Sequence, residues 1–217
     1  MKRILPIVLS FLAVTAAFGQ DISLPAPARR IGVDLIAAIA GRSVSRTFVK
    51  KEAPIQDLST ILWAGLGQRP DDAVSSATRS GRTASFSGDT PYINLYVLTE
   101  RGAWKYLPDA DKLEFRNGKD IRAEVSSGAV PEAAFMVVFT VDYSLTPSFL
   151  KSNPGLFQQM AHATAGFAAQ NVSLASSAFK MSSIIKYTLN AQGAAGALKL
   201  GKDEVPLFTL QAGYTEK

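Results

Sequence analysis

Residues 133–143 read A-A-F-M-V-V-F-T-V-D-Y, an almost unbroken apolar run. A run of this kind is expected of a strand buried on both faces. The chain then predicts its longest helix, from about Pro154 to about Lys180. Phe157, Met160, Ala161, Phe167, Ala168, Leu174, Ala175 and Ala178 are apolar positions within it. Alanine is frequent enough there for other helices to pack closely against it. Asn190 can cap a further helix through Ala191 to Leu198. Pro206 to Tyr214 reads as a last strand. On the N-terminal side, Trp104 and Tyr106 alternate, Pro108-Asp109-Ala110-Asp111 turns, and Leu113 and Phe115 alternate again, which predicts a hairpin. Tyr92 to Leu98 is a strand bounded by Pro91.

Residues 68–91 are polar and rich in Gly, Ser, Thr and Arg, a loop long enough to expect function of it. Before it, Ile55, Leu58, Ile61, Leu62 and Leu66 mark a helix closed by Gly67. Ile31, Leu35, Ile36 and Ile39 mark another, stopped by Gly41. Gln20 to Arg30 is an extended lead-in arm. Helices, strands, a long helix and a final strand predict an α+β class, with helices packed on one antiparallel-rich sheet.

The chain has 217 residues, 47% of them hydrophobic and 19% charged, which fits one well-buried domain and excludes a disordered chain. It contains no cysteine and one histidine, His162, so disulfides and Cys/His zinc or iron–sulfur sites are excluded. No metal site is expected. His162 lies inside the long helix and reads as a helix-surface or interface residue. Ser-x-x-Lys occurs at Ser148–Lys151, Ser177–Lys180 and Ser183–Lys186, but no Lys-Thr-Gly accompanies it, so a serine acylase is not supported.

Lys2 and Arg3, an apolar run from Ile4 to Val14, and the small-residue stretch Thr15 to Gly19 read as a secretory signal peptide over residues 1–19. The run is short of the about 20 residues that span a bilayer, so stable membrane insertion is not expected. Cleavage after Gly19 would leave residues 20–217 as one domain, periplasmic or secreted. Removing Lys2 and Arg3 lowers the formal charge from +5 to +3. That mild balance does not suggest nucleic acid as a partner.

Several local patterns follow one another in order. Residues 41–48 read G-R-S-V-S-R-T-F. Residues 82–97 read R-T-A-S-F-S-G-D-T-P-Y-I-N-L-Y-V, and residues 102–113 read G-A-W-K-Y-L-P-D-A-D-K-L. Residues 165–174 read A-G-F-A-A-Q-N-V-S-L, and A-G-Y comes near the C-terminus. This order resembles the nitroreductase family of flavin enzymes, most of all the branch that oxidises azolines in ribosomal peptides. The resemblance spans residues 22–217. It implies a nitroreductase-like sandwich, a central mostly antiparallel sheet flanked by helices. It also implies a homodimer holding FMN at its interface, with hydride exchange through flavin N5 on a small-molecule or peptide substrate.

The family's phosphate motif is R-x-S-x-R/K-x-F, matched here by Arg42, Arg46 and Phe48. Guanidinium forks and charge-assisted hydrogen bonds suit a phosphate dianion. Val44 stands at the hydroxyl position, with Ser43 and Ser45 beside it. The ring-binding motif R-T-A-P-S-A-x-N is matched at Arg82, Thr83 and Ala84, with Ser85, Phe86 and Asp89 as departures. The resemblance places Ser87 and Asp89 with the cofactor, as it does Gln170 of the G-x-x-x-Q-N motif and the terminal Lys217. Lys180 replaces a glycine that usually follows the late helix. No catalytic acid or base is assigned. The departures Val44, Phe86, Asp89 and Lys180 motivate an alternative, a non-catalytic flavin-binding or periplasmic binding module with the same fold.

Overall fold

The computed structural model describes residues 19–70, 81–88, 90–128 and 132–216. Its centre is the apolar run, strand β5 (Phe135–Asp142). Around it lie β1 (Ile22–Ser23), β2 (Ile93–Thr99), β3 (Gly102–Leu107), β4 (Lys112–Asn117), β6 (Ser182–Lys186) and β7 (Glu204–Gly213). They form one sheet in the order β1-β4-β3-β2-β5-β7-β6, with every pairing antiparallel.

β5 is covered on both faces, as its run of apolar side chains requires. Phe135, Val137, Phe139 and Val141 enter the larger core, and Phe139 stacks on Phe208 with ring centres 5.0 Å apart. Met136 and Val138 enter a smaller core on the opposite face. The larger core is roofed by α2 (Ile55–Leu66) and α4 (Pro154–Ala178). The smaller core takes Val125 from the short α3 (Arg122–Val125), and Ala194 and Leu198 from α5 (Ala191–Leu198). Asn153 caps α4, its Oδ1 accepting from Leu156 N at 3.1 Å, and Asn190 caps α5 through Gly193 N at 3.0 Å.

The alanines of α4 serve the chain's own core. Ala161, Ala165, Ala168 and Ala169 are fully buried within one chain. α2 approaches this face so closely that a Cβ on Gly65 would lie 2.6 Å from Val172 Cγ2.

α1 (Leu35–Gly41) behaves differently. Its N-cap is Asp34, and of its residues only Ala38 is buried, while Leu35, Ile36 and Ile39 are exposed. Ser177 Oγ of α4 donates to Ala38 O at 2.9 Å, so α1 lies on α4 with its apolar stripe facing outward.

Three elements lie outside the sequence reading: β1 within the lead-in arm, the edge strand β6 and the one-turn α3. The arm is fastened by side chains, as where Ser59 Oγ donates to Pro25 O at 2.6 Å. Trp104 Nε1–H donates to Gln20 O at 3.1 Å, so the fold engages the chain at the first residue after the expected cleavage point. The signal-peptide expectation falls on residues 1–18, outside the described residues, apart from Gly19. Among the described residues, no helix is long and apolar enough to cross a membrane.

Candidate functional site

The residues after α1 run as an irregular segment against the far edge of the sheet. Arg42 closes the helix, its N–H reaching Ile39 O at 3.3 Å. Ser43 then meets the start of β6 twice. Ser183 N–H donates to Ser43 O at 3.1 Å, and the hydroxyls of Ser43 and Ser182 lie 2.7 Å apart. Ser45 folds the next turn onto itself, accepting from Thr47 N at 3.2 Å. Val49 N–H donates to Tyr214 O at 2.9 Å, which ties the segment to the end of β7.

These contacts enclose a groove of about 550 Å³, with Ser43, Val44, Ser45, Phe48, Ser182 and Thr215 among its walls and Glu216 at one side. The backbones meet closely here, since a Cβ on Gly213 would fall 2.9 Å from Ala134 N and 3.0 Å from Phe48 Cδ1. Burial foremost, with Asp57 adding to it, holds the Tyr214 phenol above its ordinary pKa, so it is neutral at physiological pH. Lys51 places its ammonium 4.1 Å from the Tyr214 ring centre.

Arg42 and Arg46 are both exposed and bracket Ser43–Ser45 in sequence, and neither is among the walls of the groove. Among the described residues neither forms an ion pair or a side-chain hydrogen bond. Two guanidinium groups without internal partners beside serine hydroxyls can receive an anion with nothing displaced. The other expected residues are placed elsewhere or lie outside view. Ser87 is half-buried in the 85–88 segment, and Gln170 is exposed on α4, about 12 Å along the axis from Ala178 at ~1.5 Å per residue. Neither lines the groove. Asp89 and Lys217 lie outside the described residues.

The second motif is tied into the scaffold. Arg82 is buried and grips Asp109 with two hydrogen bonds, Nη1 to Oδ1 at 2.7 Å and Nη2 to Oδ2 at 2.8 Å. Thr83 Oγ1 donates to Trp63 O at 2.8 Å, and Asn171 Nδ2 reaches Thr83 O at 3.4 Å, which joins this motif to the late-helix motif. Phe86 turns inward and meets Tyr92 edge-on, with ring centres 5.9 Å apart. Lys180 adopts φ +61°, the left-handed region that favours glycine, the residue the resemblance leads one to expect there. His162 is exposed, its ring Nδ1 2.8 Å from Gln158 O, a helix-surface residue as expected. Among the described residues no group of three His, Asp or Glu side chains could hold a metal.

Ser182 and Thr215 were not singled out from the sequence. Ser182 carries only the signal of a hydroxyl just after the late helix, and Thr215 that of the residue after Gly-Tyr.

No family model matches the chain, and no curated protein matches it. Solved structures do. A protein assigned as a nitroreductase from Ralstonia eutropha JMP134 is 26% identical, superposes over 91% of this chain and 90% of its own, and has a TM-score of 0.78. The Escherichia coli microcin synthetase complex McbBCD, solved with truncated pro-MccB17 bound, matches over 100% of this chain and 85% of that one, with 15% identity and a TM-score of 0.66. The NADPH:FMN oxidoreductase of Vibrio harveyi, solved with NAD+, matches over 84% and 69%, with 19% identity and a TM-score of 0.56.

Proposed function

We propose that this chain, which has the nitroreductase fold, is an exported FMN-dependent oxidoreductase acting on a small-molecule or peptide substrate. The observation that carries this reading is the pair Arg42 and Arg46, both exposed and without partners, which bracket in sequence the Ser43–Ser45 wall of the groove without lining it themselves. These residues fit the phosphate end of FMN. Arginine forks supply charge and directed donors, and of the hydrogen-bonded Ser43–Ser182 pair one hydroxyl proton is left to donate to a phosphate oxygen, while Ser45 Oγ already donates to Thr47 O. Bound there, FMN would supply hydride exchange through N5, and the protein would supply orientation and electrostatics. Phe86, packed inward on Tyr92, leaves the exposed Ser85 and half-buried Ser87 as the polar groups of the ring-facing segment. Asp89 in that segment is assigned to the edge of the ring, where an ionised carboxylate can only accept hydrogen bonds.

A homodimer belongs to the same reading. Leu35, Ile36 and Ile39 on α1 and Phe167 on α4 are large exposed apolar side chains on two helices packed together. Such a patch is suited to cover by a second copy.

The rival reading, a non-catalytic binding module, is favoured by one observation. Glu216 lines the groove and would repel a phosphate. Purified protein beginning at Gln20 decides between them. A yellow protein with stoichiometric flavin, or one that becomes so on adding FMN, supports the oxidoreductase. A colourless protein that ignores FMN supports the module. Met1 retained in the mature pool would remove export from the proposal.

A further inference from the structure

Asn117 ends β4 and is followed by Gly118, the one place in the chain where glycine follows asparagine. The Asn117 side chain is tied at both ends. Oδ1 accepts from Lys119 N–H at 3.1 Å, and Nδ2 donates to Ala197 O at 3.2 Å. Ala197 lies in the last turn of α5, where carbonyls lack partners within the helix, so Asn117 caps α5 from the sheet. α5 in turn covers the smaller core with Ala194 and Leu198. Gly118 is exposed, and among the described residues no acceptor takes its N–H. The backbone does not require glycine here. Its φ lies outside the left-handed region, and a Cβ would come no closer than 3.6 Å to Phe115 Cζ, an ordinary contact. What glycine leaves open is the approach to its own nitrogen.

We propose that Asn117–Gly118 is a deamidation site, and that the acid it yields releases α5 from the sheet. The Gly118 nitrogen, its proton lost to hydroxide, attacks Asn117 Cγ. The N–Cγ bond forms, the Cγ–Nδ2 bond breaks, and ammonia leaves with a proton from water. Water then opens the five-membered imide at one of its two carbonyls, giving aspartate or isoaspartate. The bond from Lys119 N–H favours the attack. It draws electrons from the carbonyl under attack and closes an Asx turn that spans the Gly118 peptide unit. Asn94, Asn153, Asn171 and Asn190 lack this arrangement. Pro154 has no N–H, and Leu95, Val172 and Ala191 carry a Cβ that crowds the attacking nitrogen. The product reverses the contact with α5. A carboxylate has no proton to give, so Ala197 O loses its donor and faces a negative charge, at the end of α5 where the helix dipole is itself negative. None of these residues lines the groove assigned to flavin, so the site is independent of that reading.

The test holds the protein beginning at Gln20 in warm, mildly alkaline buffer, digests it at intervals and follows each asparagine by mass spectrometry. Asn117 should convert at least about tenfold faster than Asn94, Asn153, Asn171 or Asn190, a barrier lower by about 1.4 kcal/mol. Gly118→Ala, which the fold accommodates, should slow conversion at Asn117 by about tenfold. Hydrogen exchange then reads α5. Asn117→Asp, which carries the product side chain, should exchange the α5 amides at least about tenfold faster than the parent. No preference for Asn117, or a rate untouched by Gly118→Ala, would overturn the site. Equal α5 exchange in Asn117→Asp and the parent would overturn the release of the helix.

Discussion

The hydroxyls of Ser43 and Ser182 lie 2.7 Å apart across 139 positions of sequence, and that contact pins the segment after α1 to the first residue of β6. The wall of the groove and the placement of Arg42 depend on this pin. Removing either hydroxyl should loosen the segment at a cost of about 1 kcal/mol. In a double-mutant cycle, Ser43→Ala combined with Ser182→Ala should be little worse than either alone. Thermal denaturation of the four proteins measures it, and fully additive losses would show that the two hydroxyls act separately.

If Arg42 and Arg46 hold a phosphate, each contributes charge-assisted hydrogen bonds worth roughly 1.5–3 kcal/mol. Replacing either with alanine should weaken FMN about 10- to 100-fold, at about 1.4 kcal/mol per decade. Riboflavin, which lacks the phosphate, should bind more weakly to the unmodified protein and be nearly indifferent to both changes. Because both side chains are exposed and unpaired, stability should stay within about 0.5 kcal/mol. Flavin fluorescence titration gives both affinities. Equal FMN affinity in all three proteins would end the phosphate assignment.

Lys180 holds φ +61° directly after α4, a conformation that costs a side chain with a Cβ roughly 1 kcal/mol. Lys180→Gly should therefore stabilise the protein by a few tenths to about 1 kcal/mol, the gain being reduced by glycine's greater unfolded-state freedom. Chemical denaturation checks the sign. A loss of stability would mean that the lysine side chain makes a compensating contribution in the folded state.

The elements with strong patterns were legible in the sequence. The 133–143 run became a doubly covered central strand because neither of its faces could meet water. Asn190 and Gly67 marked helix ends that the structure keeps. β6 was not legible, because S-S-I-I-K is short, lies at an edge and alternates too little to show its period. The stripe Leu35, Ile36, Ile39 showed helical spacing, but spacing alone does not say which surface it faces, and within one chain it faces outward. The site was legible only as motifs. That Arg82 would be consumed by Asp109, and that Ser182 would meet Ser43, depends on contacts between residues far apart in sequence.

Titration should mark both ends of the stability profile. Hydrogen bonding by Lys112 leads the lowering of the Asp21 pKa. For Asp120 burial raises it, but hydrogen bonds from Arg122 outweigh this and lower it. A lowered folded pKa gives stability that is complete above the ordinary aspartate value of 3.8 and lost as pH falls below it. Tyr96 and Tyr106 are raised, chiefly by burial, so their contribution is complete below the ordinary value of 10.0 and lost as pH climbs beyond it. Denaturant midpoints should be flat between these limits. Tyr106→Phe should shrink the alkaline fall, and an unchanged slope there would show that Tyr106 does not titrate with unfolding.

Gln211 offers a sharper test of how the sheet is held. It lies on β7 between Met136 of β5 and Ile184 of β6, with no measurable exposure, and neither Nε2 nor Oε1 of its side chain has a partner. A buried amide in that state costs about 1–3 kcal/mol in lost hydration. Methionine has similar length and flexibility and no group that must be paired. Gln211→Met should therefore stabilise the protein by about 1–3 kcal/mol, or roughly 2–4 °C in Tm per kcal/mol for a chain of this size. Gln211→Ala removes the same amide but leaves a void, so it should gain less or lose stability. The ordering methionine above alanine isolates packing from polarity. A methionine variant less stable than the parent would show that the amide is hydrogen-bonded after all, through a buried water, and that Gln211 helps to hold the sheet together.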